Sequence, residues 1–100
     1  HVVVQDIREE EIKNGEVYIN LMEDDLVVLL EKVRQTKLEP GKNVGIISYN
    51  ETPWKRFILE GITTISTDFK KMGAIAAEMV LSNEKKRVEV PFTLTMRSSL

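Results

Sequence analysis

The stretch Val44-Gly45-Ile46-Ile47-Ser48-Tyr49-Asn50 is apolar on nearly every residue and then breaks into a polar cluster, Asn50-Glu51-Thr52-Pro53. Such a run predicts a strand over residues 44–49, covered on both faces as strands of a parallel sheet are. The next β-branched run, residues 62–67, feeds straight into a helix-patterned segment. There Phe69, Met72, Ile75, Ala76, Met79 and Val80 form one stripe, capped by Thr67 or Asp68. An open α/β sheet presents groups to a ligand at the carboxyl ends of its strands. A buried strand that stops in polar residues therefore predicts binding of a small polar molecule, and nothing in the pattern asks for its transformation.

Outward from this core, the chain alternates strand and helix signals. Residues 2–7 are β-branched and read as a short buried strand, and the charged residues Glu9, Glu10 and Glu11 read as a solvated face. Asn14-Gly15 marks a turn, and residues 17–21 read as a second strand. Glu23, Asp24 and Asp25 sit where a helix dipole favours acids, and this reading is preferred to a hard-cation site. Leu26, Val27, Leu29, Leu30 and Val33 recur at helical spacing, Lys32, Arg34 and Lys37 complement the carboxyl end, and Pro40-Gly41 stops the helix. Pro53 opens a short helix over residues 54–59 that Gly61 ends. Residues 88–96 form a last strand, which Pro91 assigns to an edge or a bulge. The order of elements gives an α/β fold with a mostly parallel sheet flanked by helices.

Composition narrows the function further. One hundred residues allow one small domain or a piece of a larger one, and the abrupt start in a strand suggests a piece. A formal net charge of −2 argues against this segment gripping nucleic acid by itself, since phosphate contacts need a basic face. There is no cysteine, and the one histidine is His1, which reads as a tag remnant. The usual zinc ligand sets and nucleophilic triads are therefore out of reach. The phosphate-cradling GxxxxGK[ST] and GxGxxG loops are missing as well. The expectation is a non-enzyme with no metal and no cofactor. No apolar run is long enough to span a bilayer, and the first residues lack the pattern of a signal peptide.

Asn50 is the leading candidate for ligand contact. It stands where the backbone leaves an apolar strand, and its amide both donates to and accepts from hydroxyls. An Asx-type turn before Pro53 explains the same residue equally well. Phe69 and Met72 are one helical turn apart, as a core pair or as an apolar face for a ligand ring. Trp54 follows the polar cluster as an anchor of the short helix, an interface residue or a wall of the same cleft.

The run from Gly41 to Leu81 resembles the carboxyl-terminal signature of the LacI/GalR repressors and the related periplasmic sugar-binding proteins. The matching residues are Val44-Gly45-Ile46-Ile47-Ser48-Tyr49-Asn50-Glu51, then Ile62-Thr63-Thr64-Ile65, then Met72-Gly73, Ala76 and Leu81. Upstream, VYINLMEDDLVVLLEKVRQTKLEPGKN resembles the family without gaps, and VEVPFTLTMRSSL resembles its closing strand. The wording is most similar to regulators that join a GntR-type winged helix to a LacI-like sensor.

The resemblance implies part of a periplasmic-binding-protein-like class I sensor. Residues 2–65 and 88–100 would belong to the second lobe, and the helix over residues 68–83 to the first. Asn50 would stand where the family usually holds an aspartate that grips an effector hydroxyl, and Phe69 and Met72 would give apolar contacts. The family's ligand-facing asparagine aligns with Met22, which departs from that pattern, so Asn20 and Glu23 are the substitutes. The resemblance implies a cytoplasmic homodimer that binds a small-molecule effector, a sugar, and meets DNA only through an absent amino-terminal domain. A solute-binding protein of a sugar transporter is the alternative, and an enzyme on the same scaffold is a further rival.

Overall fold

The computed structural model describes residues 6–83 and 87–100. Strand β1 spans Val17–Asn20, helix α1 Glu23–Arg34, β2 Gly45–Tyr49, β3 Thr63–Thr67, helix α2 Phe69–Ser82 and β4 Phe92–Thr95. The four strands form one sheet in sequence order. β1, β2 and β3 are parallel neighbours, and β4 lies antiparallel to β3. The mixed, mostly parallel sheet with helices is the expected α/β class.

Helix α1 forms because its apolar residues share one face. Leu26, Leu29 and Val33 are buried there and join Ile12, Val44, Ile46 and Ile62 in the core. Its amino end carries Glu23, Asp24 and Asp25 in the first turn, and Met22 at the cap position supplies no side-chain bond. The acids thus complement the helix dipole as expected. Near the other end, Lys32 Nζ donates to the carbonyls of Arg8 and Glu10 and ties the preceding segment to the helix.

Several boundaries differ from the sequence reading. Residues 2–5 lie outside the described residues, and Ile7 opens a 3-10 turn, Ile7–Glu9, in place of the end of a strand. Asp6 accepts from the Arg8 N–H at 2.9 Å, a local bond that competes with strand pairing. The short helix over residues 54–59 is instead two 3-10 turns, Pro53–Arg56 and Ile58–Glu60. Leu59 and Glu60 adopt left-handed backbone at φ 52° and 62°, which no α-helix accommodates. Asp68 caps α2, accepting from the Lys71 N–H at 3.0 Å. Pro91 precedes β4, and the strand is confined to the sheet edge.

Nor is the sheet covered on both faces. Its α1 side holds Ile46 and Ser48, both buried, whereas Val17 and Ile19 on the other side are 54% and 63% exposed. Helix α2 has no buried residue, so its apolar stripe lies open. The radius of gyration is 16.8 Å, against about 13 Å for a compact chain of this length.

The carboxyl-terminal segment closes the amino-terminal ends of β2 and β3. Buried Ser99 accepts from the Thr63 N–H through Oγ at 2.8 Å and donates to the Ile46 carbonyl at 2.6 Å. Its own carbonyl accepts from the Ile46 N–H at 2.7 Å. Gly41 stands beside this segment at φ +82°, where an added Cβ would lie 1.8 Å from the Ser98 carbonyl oxygen. Gly15 has a similar φ of +86° but open space around it. Gly41→Ala should therefore cost about 2–3 kcal/mol and Gly15→Ala about 1 kcal/mol in urea unfolding. Equal losses would place the whole cost in φ and none in the close approach.

Candidate functional site

Parallel pairing brings the carboxyl ends of β1, β2 and β3 to one edge of the sheet. Asn20 ends β1, Glu23 opens α1, and Asn50 follows β2. Asn20 is 9% exposed, and both its amide oxygen and nitrogen lack a hydrogen-bond partner among the described residues. It is registered against Ser48, which in turn is registered against Thr64, whose buried hydroxyl is also unpartnered. Asn50 adopts left-handed backbone at φ 69°, a conformation asparagine tolerates better than most residues. Its N–H donates to the Ile65 carbonyl at 2.8 Å, and its side-chain oxygen is buried without a partner.

Lys55 holds this edge together. Its side chain is fully buried. Nζ donates to the carbonyl of Tyr49 at 3.0 Å and of Asn50 at 2.7 Å, and pairs with the Glu23 carboxylate at 2.5 Å. Glu23 and the Asn50 turn are therefore joined through one ammonium. Next to it, Arg97 Nη1 donates to Glu51 Oε1 at 3.0 Å and to the Ile62 carbonyl at 2.9 Å, while Nη2 donates to Glu51 Oε2. This two-pronged pair clamps the residue after Asn50 to the returning chain.

Phe69 and Met72 occupy the first turn of α2, 56% and 38% exposed. They follow β3 at the same sheet edge, but among the described residues no hydrogen bond joins them to Asn20, Glu23 or Asn50. Lys55, Arg97 and Ser99 were not singled out by sequence reasoning. Their partners lie 32, 46 and 53 positions away (Glu23, Glu51 and Ile46), and no local spacing announces such pairs. Trp54 lines a separate apolar groove of about 560 Å³ with Val27, Leu30, Leu38, Ile58 and Leu59. None of the candidate contact residues lines that groove, whose mostly apolar wall suits a protein surface better than a hydroxylated ligand.

Among the described residues, no cluster of acids and histidine is arranged to hold a metal ion, and no helix is long and apolar enough to cross a membrane.

No protein-family model matches the chain, and no curated protein matches it. Solved structures do. A PurR-family transcriptional regulator from Vibrio parahaemolyticus superposes with a TM-score of 0.70 at 18% identity, over 93% of this chain and 34% of that one. A protein described as a transcription regulator from Staphylococcus saprophyticus gives 0.69 at 22% identity, over 84% of this chain and 32% of that one. The lactose repressor bound to the anti-inducer ONPF gives 0.66 at 16% identity, over 83% and 33%.

The fold is LacI-like. The chain spans about a third of the length of these regulators.

The Glu51–Arg97 pair makes a pH-dependent contribution. The Arg97 hydrogen bonds hold the Glu51 carboxyl below its usual range, against the opposing effect of burial. A depressed carboxylate stabilises the fold above its unfolded pKa and loses that contribution as pH falls through the folded value. Glu51→Gln should lower the thermal midpoint at pH 7, and its gap to the wild type should close as pH falls below about 4.3. A gap that persists unchanged at pH 2 would exclude ionisation as its source.

Proposed function

We propose that this chain is the carboxyl-terminal part of the effector-binding domain of a bacterial transcription regulator, and that its effector is a sugar. The observation that carries this reading is the set of unpartnered buried amide groups of Asn20 and Asn50 at the carboxyl edge of a LacI-like sheet. Buried polar atoms are nearly always hydrogen-bonded, and neutral amides match neutral hydroxyls. Glu23 is already paired with Lys55, so its carboxylate is not a free charge for an ionic ligand. The neighbours support a regulator over the binding protein of a transporter, and one of them is described with a bound anti-inducer.

In this reading, residues 2–65 and 88–100 belong to one lobe, and α2 packs on a second lobe with Phe69 and Met72 facing the cleft. Effector binding biases the arrangement of the two lobes, and that bias is passed to a DNA-binding domain, of GntR type, elsewhere in the protein. The protein works in the cytoplasm as a homodimer, with the groove between Val27, Leu30 and Leu59 as part of the subunit contact.

Asn50→Leu should weaken binding of the cognate monosaccharide to the intact sensor by about 1–3 kcal/mol, the cost of an unmade buried hydrogen bond. Calorimetric titration with a panel of neutral sugars checks this. A sugar that binds wild type and variant equally would remove Asn50 from the site.

A further inference from the structure

A lysine ammonium has three donors, and at Lys55 all three are spent inside the protein. They go to the carbonyls of Tyr49 and Asn50 and to the carboxylate of Glu23. With a side chain fully buried and no donor left, Lys55 has nothing to offer a ligand directly. The two carbonyls it gathers flank the Cα of Asn50. In extended backbone successive carbonyls point to opposite sides, so one ammonium cannot reach both. In left-handed backbone they lie on the same side, and Asn50 stands there at φ 69°.

We propose that Lys55 is a positioning residue of the effector site, which locks Asn50 in left-handed backbone and ties its turn to the start of α1 through Glu23. The inference rests on the reading of Asn50 as an effector contact. Further bonds hold the lock from outside. The Asn50 N–H is fixed on the Ile65 carbonyl, and Glu51 is clamped by Arg97. The backbone of Lys55 is itself held, since its carbonyl accepts from the Ile62 N–H at 2.7 Å. Its N–H donates to the Thr52 carbonyl at 3.1 Å. The side-chain amide of Asn50 is thus presented from a turn whose conformation is set before a ligand arrives, which lowers the ordering cost of binding.

The test separates positioning from binding. In the isotope-labelled full chain, Lys55→Met should abolish the left-handed signature of Asn50 in its Cα and Cβ shifts and its backbone coupling. The strand signals of β1, β2 and β3 should persist. Retention of that signature in a folded Lys55→Met chain would overturn the inference. If the variant does not fold, the wild type decides. Scalar couplings across the hydrogen bonds from Lys55 Nζ to the carbonyl carbons of Tyr49 and Asn50 are expected, and their absence would overturn it. Binding is read separately by calorimetry with D-glucose, D-galactose, L-arabinose and D-ribose as probes. Lys55→Met should weaken the probe that binds the wild type about tenfold, and should add no further loss in an Asn50→Leu background. Equal losses in both backgrounds would assign Lys55 a purely structural role. A probe that binds Asn50→Leu as it binds the wild type would defeat the effector reading of Asn50, leaving the spectroscopic result to judge Lys55.

Discussion

A buried ammonium has to find acceptors for all three of its protons, and Lys55 finds them on two different segments of the chain. Leaving such a charge unpaired costs several kcal/mol, so the segments that supply the acceptors are constrained together. One is the first turn of α1 and the other is the turn after β2. The core beneath them is small, with seven buried apolar residues among the described ones. In so small a core, polar anchors of this kind decide where the loops stand. Ser99 acts in the same way at the opposite end of β2 and β3, where its hydroxyl and backbone join strands that would otherwise end unpaired.

The surfaces left open follow from the same shortage of core. Val17 and Ile19 on the uncovered sheet face, Phe92 and Leu94 on the edge strand, and Phe69, Val80 and Leu81 on α2 are all more than half exposed. Burying a side chain of this size is worth about 1.5–3 kcal/mol. Exposed apolar surface on this scale marks places where protein normally meets protein. The chain spans about a third of its LacI-like neighbours, and α2 has no buried residue.

The amides at the sheet edge carry the functional argument because their environment is selective. Asn20 and Asn50 are neutral and keep unpartnered polar atoms, while Glu23 is matched by Lys55 and Glu51 by Arg97. On the proposed reading, such amides suit a polar, uncharged ligand. The backbone of Asn50 is fixed on both sides, so selectivity there would come from geometry set in advance.

The alternation of apolar runs and helical stripes was sufficient to determine the class of the fold, the existence of β1, α1, β2, β3, α2 and β4, and the position of Asn50 at a strand end. Those features depend on residues close in sequence, where side-chain period and capping act directly. Local signals also misled in places. Pro53 and the residues after it read as one helix, but they form two 3-10 turns that meet at Phe57, the second carrying left-handed backbone at Leu59 and Glu60. The apolar content of β2 read as double coverage, but coverage requires a second layer, and the sequence carries no record of which layers are near. Only the tertiary structure decided that Lys55, one of two adjacent basic residues, is the largest fully buried side chain at the candidate site. Only it paired Glu51 with Arg97 and set Ser99 between strands. The Lys55–Glu23, Glu51–Arg97 and Ser99 bonds join residues that are distant in sequence, and a hydrogen bond acts over about 3 Å of space whatever the length of chain between its ends.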